Sequence, residues 1–273
     1  MIRLRVFRRH DQDFANIGDG TMTTRRTLIK GATAAIMGAT ATTAEALAGV
    51  GPKAGLEELM VTHMAQELGS ESVARKLAPL VFEATMLWTY PQMPAGDADA
   101  LIAYSFGNRI PETGAKGQSP GPDGSVPGPI NARLAQAVGE IRAIKDVPVY
   151  AQWEIATILQ ETFHMERVIP IYPERGPDGK IVYLSTEGVA KAVLRLAGGA
   201  QALGRVGIVG HRDHVKRCIL MSQSVGLRAA AISGISLPVE YDMQSGQAWT
   251  RDRATYLLGD MIAQLAMKRA ALL

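Results

Sequence analysis

One cysteine, Cys218, in 273 residues leaves no possibility of an internal disulfide, even in an oxidising compartment. No apolar run of about 18 residues follows residue 48, so nothing beyond that point is expected to span a membrane. No G-x-G-x-x-G opens a helix after the first strand of the α/β pattern, and no G-x-x-x-x-G-K-[ST] occurs. A dinucleotide dehydrogenase and a P-loop nucleotide hydrolase are therefore disfavoured. No G-x-S-x-G stands between a strand and a helix as a nucleophile elbow, the one match (Gly117 to Gly121) falling in a Pro/Gly-rich stretch, which argues equally against a serine α/β-hydrolase. Internal repeats are missing too. Basic excess is confined to one end: residues 1–48 hold seven Lys/Arg and four Asp/Glu of the chain's 29 and 26, leaving 22 of each sign in the rest. The pI near 9 thus gives no support for nucleic-acid binding.

Residues 1–48 read as an export signal. Thr24-Arg25-Arg26-Thr27-Leu28-Ile29-Lys30 is a twin-arginine pattern, Gly31 to Thr43 is weakly apolar, and small-residue cleavage sites end at Ala46 and Ala48. The expectation is a Tat signal peptide, with the Tat translocase as partner during export and a periplasmic location. Residues 49–95 are expected to form a helical extension and linker. Leu56 to Trp88 carries apolar residues at helical spacing with a break at Gly69-Ser70-Glu71. Pro79 lies within the second of these helices, and His63 on the first reads as a packing residue. Tyr90 to Gly96 reads as a linker from its Pro and Gly content.

Residues 96–273 read as an α/β domain. Short apolar runs at Leu101–Tyr104, Val147–Ala151, Val168–Tyr172, Val206–Val209 and Arg228–Ile232 alternate with helical patterns. Asn131 is the expected cap of the first of these helices, and Ser185 or Thr186 of the third. A terminal helix is expected from about Arg251 to Leu265. Such alternation predicts a Rossmann-like open sheet, mostly parallel, of about five strands with flanking helices. Ile110 to Pro129 is rich in Pro, Gly and Ser and reads as a flap or a disordered loop.

The stretch Arg205–Cys218, RVGIVGHRDHVKRC, marks the site. A buried strand stops at Gly210 and a polar turn with two histidines and two arginines opens into a helix. In an open α/β sheet, ligands bind where strands end and helix N–H groups point outward. His211 and Arg217 are candidates for ligand binding there, and His214 for general acid–base work. Glu154, at another strand exit, is a second catalytic candidate, weighed against a first-turn glutamate complementing its helix. Ser105, Gly107, Asn108 and Arg109 leave the first strand; Ser185, Thr186 and Glu187 open a later helix. All are ligand-binding candidates. Cys218 lies on the apolar stripe of its helix and reads as a core residue.

In order, these pieces resemble the YdcF/SanA/ElyC-like family of bacterial envelope-associated proteins (domain of unknown function 218). The likeness rests on Ser105-Phe106-Gly107-Asn108-Arg109 after the opening strand, on Ser185-Thr186-Glu187 at a helix start, and on His214-Val215-Lys216-Arg217 after Val206–Val209; Gly226 precedes the next strand. It covers about residues 97 to 265, and it implies a Rossmann-like fold with a polar pocket at the strand ends. Three functions stay open. One is an enzyme acting on a small anionic or nucleotide-like envelope metabolite, with Arg217 and Arg109 as clamps. Another is a non-catalytic binding protein for such a ligand. The third is a metal-dependent hydrolase using His211 and His214 with Glu154 or Asp213. No cofactor is assigned.

Overall fold

The computed structural model describes residues 52–111, 121–177 and 179–273. The expected export signal lies outside the described residues, as does the middle of the Pro/Gly-rich stretch. Contacts divide the chain into two units, Met1–Gly55 and Leu56–Leu273, and all that follows concerns the second, together with the start of its opening helix.

Three strands carry the centre of the sheet. In β2 (Ala100–Ala103) all four residues are buried, as a strand with helices on both faces requires. It pairs in parallel with β5 (Val149–Gln152) on one side and with β9 (Arg205–Val209) on the other. Beyond β5 lies β6 (Val168–Ile171), and beyond β9 lies β10 (Arg228–Ile232). The outermost strand, β1 (Gln92–Met93), comes from the stretch read as linker. Its pairing is continued by Ala231 N donating to Pro91 O and Ser233 N to Met93 O. The sheet therefore has six strands, in the order β1-β10-β9-β2-β5-β6, all parallel. With helices on both faces it is a Rossmann-like α/β fold.

Alternation along β2 splits the core in two. Leu101 and Ala103 face α3 (Pro129–Ile144) and α4 (Trp153–Glu161), where Leu134, Val138, Ile141, Ile155 and Leu159 are buried. Ile102 and Tyr104 face α5 (Thr186–Leu196) and α7 (Val215–Ser224), with Val189, Val193, Ile208 and Ile219. Cys218 belongs to this second layer. It is fully buried, and burial pushes its thiol pKa up, as befits a core residue. The short helix α6 (Ala200–Leu203) leads into β9.

Two small hairpins lie outside the sheet: β3 (Asn108–Arg109) with β4 (Val126–Pro127), and β7 (Glu174–Arg175) with β8 (Ile181–Val182). At the N-terminal side α1 (Pro52–Leu68) and α2 (Glu71–Thr85) form a helical hairpin around Val61, Ala74 and Ala78. It turns at Gly69, whose φ of +64° suits glycine. His63 is exposed, not packed. The terminal helix α8 (Arg253–Ala270) is capped by Asp252, whose side chain accepts from Thr255 N at 2.8 Å. Among the described residues no helix is long and apolar enough to cross a membrane.

The chain leaves β2 outward through β5 to β6, then returns to place β9 on the opposite side of β2. The crevice between the exits of β2 and β9 is therefore the topological switch point, where open sheets of this kind bind ligands.

Candidate functional site

A cleft of about 330 Å³ opens at that switch point. Its walls come from Ser105–Gly107 after β2, Gln152 at the end of β5, Tyr183–Thr186 before α5, His214 and Arg217 at α7, and Gln247, Trp249, Thr250 and Tyr256 from the C-terminal segment.

The turn after β2 is held by side chains from both flanking elements. Ser105 N donates to Gln152 Oε1 at 3.0 Å and Phe106 N to Asn131 Oδ1 at 2.9 Å, while Asn131 Nδ2 donates to Gly107 O at 2.6 Å. Asn131 is thus no helix cap. Gly128 occupies that position with Pro129 at the first helical turn, and the buried Asn131 pins the cleft floor instead. Gly107 has φ +73°, and a Cβ there would stand 2.7 Å from Ser245 Oγ and 2.9 Å from Thr250 Oγ1. Only glycine fits both the conformation and the space.

On one wall, His214 and Arg217 share the carboxylate of Asp260, a fully buried group on α8. Arg217 Nε donates to Asp260 Oδ1 at 2.5 Å, and the two terminal nitrogens reach Thr186 Oγ1 at 2.8 Å and Tyr256 Oη at 3.1 Å. Gln264 Nε2 donates to the other oxygen, Asp260 Oδ2, at 2.8 Å. The His214 Nδ1 lies 3.7 Å from Asp260 Oδ1, too long for a hydrogen bond, and is buried without a partner among the described residues. Burial, helped by the Arg217 charge, outweighs the pull of Asp260 and lowers the His214 pKa to about 4. Its imidazole is neutral at neutral pH. Burial raises Asp260, but His214 and Arg217 outweigh that and hold it below the usual carboxylate range.

On the opposite side of the turn after β2, Glu154 is fully buried in the first turn of α4. Its Oε1 accepts from the Tyr183 hydroxyl, and its Oε2 has no partner among the described residues. Tyr183 Oη in turn accepts from Asn108 Nδ2 at 3.0 Å and Trp153 Nε1 at 3.3 Å. Burial lifts the Glu154 carboxyl to about 7, against the opposing pull of Tyr183 and Ser105. Glu154 does not line the cleft. It backs the residues that do, Tyr183 and Ser105.

The structure brings Ser105, Gly107, Ser185, Thr186, His214 and Arg217 into one cleft and places the other candidates outside its lining. Arg109 is held bidentately by Asp242, at 2.8 and 2.9 Å, and Arg217 gives one bond to Asp260 and its terminal nitrogens to Thr186 and Tyr256; neither guanidinium is an uncommitted clamp. Asn108 joins Tyr183 to Ser125 beneath the surface. Glu187 points to Lys191 on the exposed side of α5. His211 is fully buried and stacked on Phe106 at 4.0 Å. Its Nε2 lies 3.1 Å from Glu240 O, and its Nδ1 accepts from Asp213 N. Both ring nitrogens are occupied by the protein, and Asp213 is tied to Arg253 and Tyr241. Among the described residues no group of three or more His, Cys, Asp or Glu side chains is placed to hold a metal ion, so the imagined His211/His214 pair has no third ligand.

Comparison of the chain with family models, curated proteins and solved structures finds no match. What the cleft does is therefore argued from its own chemistry. The residues that sequence reasoning missed are Asp260, Tyr183, Tyr256 and Trp249. One signal was available for the first. Tyr256, Asp260 and Gln264 recur every four residues, a polar-bearing stripe on the face of α8 that is buried.

Proposed function

We propose that this protein binds a small anionic metabolite in the switch-point cleft and acts on it by general acid–base catalysis, with His214 as the base. The juxtaposition of His214 and Asp260 in the cleft wall carries the reading. A neutral imidazole whose Nδ1 stands 3.7 Å from a buried carboxylate needs only a small shift to donate to it, which would leave the other nitrogen as a proton acceptor. The anionic preference is supported by the positive dipole ends of two helices on the cleft, α5 at Ser185–Thr186 and α7 at His214–Arg217, although Gly188 N already donates to Ser185 Oγ and Val215 N to His211 O. Glu154, near pKa 7 behind Ser105 and Tyr183, supplies a group able to exchange a proton at neutral pH.

The family resemblance is part of the proposal, as are export and a periplasmic location, which rest on the twin-arginine pattern. Native mass spectrometry of the protein purified after export tests the binding part: an excess mass lost on denaturation identifies the ligand, and a bare mass under every condition counts against a captured metabolite. Hydrolysis of p-nitrophenyl phosphate tests the chemistry. His214→Gln is expected to lower any turnover by about 100-fold or more with an unchanged melting temperature. Wild-type turnover in that variant removes His214 from the role.

Binding without turnover is the second reading. The 3.7 Å gap between His214 and Asp260 favours it, because an orienting hydrogen bond is not made in this state. It predicts that a captured ligand is returned chemically unchanged.

A further inference from the structure

Trp249 has no role in the chemistry above, and its placement is unusual for a tryptophan. Of the chain's three, Trp153 is buried at 1% exposure and Trp88, 38% exposed, lies under the Lys216 ammonium, whereas Trp249 is 58% exposed while forming part of the cleft wall. An indole left in water forgoes a large burial gain. Mobility does not account for it, because the segment that carries the ring is fastened on both sides. Gly246 N donates to Asn108 O at 2.7 Å, Arg251 Nε to Ser245 O at 2.6 Å, and Thr250 Oγ1 to Gln247 O at 2.8 Å. Asp242, at the start of the segment, holds Arg109. Asn108 and Arg109 thus reach the site indirectly, as the rail to which the Trp249 segment is clipped.

A rigid aromatic ring presented to solvent beside two helix starts offers two kinds of recognition at once. Its face takes a planar ring, and the positive dipole ends of α5 and α7 attract negative charge. The cleft, about 330 Å³, is at the lower end of the range for small-molecule sites.

We propose that Trp249 is a stacking platform and that the ligand class of the cleft is a nucleotide, its base lying on the indole and its phosphate directed to the first turns of α5 and α7. This rests on the reading of an anionic ligand given above and names its class.

The test is calorimetric titration of the full chain with AMP, UMP, ribose 5-phosphate and inorganic phosphate, for wild type, Trp249→Ala and Trp249→Phe. The expected result is that AMP and UMP bind, that Trp249→Ala weakens both by about 10-fold or more, and that Trp249→Phe stays within about three-fold of wild type. Ribose 5-phosphate, with charge and sugar but no base, should bind more weakly than AMP and be indifferent to Trp249→Ala. Equal affinity for AMP and ribose 5-phosphate, unmoved by Trp249→Ala, overturns the platform and leaves the anionic cleft standing. No binding by any of the four probes overturns both. Because Trp249 is exposed, its replacement leaves the core intact, and a thermal melt of the variant checks this.

Discussion

Asp260 and Glu154 are both carboxylates with no exposed surface, one behind each wall of the same cleft. Asp260 touches the Arg217 guanidinium at 2.5 Å and stays ionised, below the usual carboxylate range. Glu154 touches a tyrosine hydroxyl and has no cation beside it among the described residues, and its pKa rises to about 7. Burial is the same for both, so burial alone does not set the protonation state; the nearest charge does. The pair also separates two kinds of polar burial. One wall contains a charge network whose members depend on each other, the other a nearly neutral hydrogen-bonded chain.

The largest test removes a partner from the charged wall. Asp260→Ala leaves Arg217 buried without a counter-charge and is expected to cost about 3–5 kcal/mol in urea unfolding. A cost under about 1 kcal/mol would mean that water already reaches Arg217.

Next comes the pH dependence of stability, where the walls act in opposite directions. His214, with a folded pKa of about 4 against 6.5, binds fewer protons folded than unfolded between those values, so its contribution makes stability rise with pH across that window. Glu154, at about 7 against 4.5, holds its proton longer when folded, so its contribution makes stability fall as pH rises from 4.5 to 7. In wild type the two largely offset. Glu154→Gln should expose the rising slope and His214→Gln the falling one, each approaching about 1.4 kcal/mol per pH unit. Parallel stability–pH curves for the two variants would contradict the assignment.

Smaller effects sharpen the neutral wall. Tyr183→Phe strands the N–H groups of Asn108 and Trp153 and removes a donor to Glu154; about 1–2 kcal/mol is expected by chemical denaturation. Glu154→Gln at pH 7 should cost under about 1 kcal/mol, because an amide keeps the shape and the acceptor for Tyr183. If it cost as much as Asp260→Ala, the two walls would not differ in kind.

The centre of the sheet was legible because β2, β5 and β9 are apolar runs ended by Ser, Gln and Gly, and a parallel sheet needs such runs. β1 was not, since two residues between prolines carry no period; only its pairing with β10 makes it a strand. At the site, strand exits pointed to Ser105 and His214, which line the cleft, and to Glu154, which lies behind it. Their partners were hidden by distance along the chain: Asp242 lies 133 residues from Arg109, and Asp260 lies 43 from Arg217. Lacking those carboxylates, the arginines read as free clamps. His211 misled for a related reason. Its neighbour in sequence is the polar turn, but its neighbour in space is the Phe106 ring.

Lys216 follows His214 by two residues, yet its ammonium is turned away from the cleft to the carbonyls of Glu83 and Leu87 at the end of α2. Glu83 also meets Lys268 on α8 at 2.6 Å. The helical hairpin is therefore completed by residues made some 130 and 185 positions after it. During synthesis it emerges before the sheet, and its contact with Lys216 waits for α7 and that with Lys268 for α8. Its apolar face must stay out of other associations for nearly the whole of translation, and closure of such distant contacts is the slow kind of folding event.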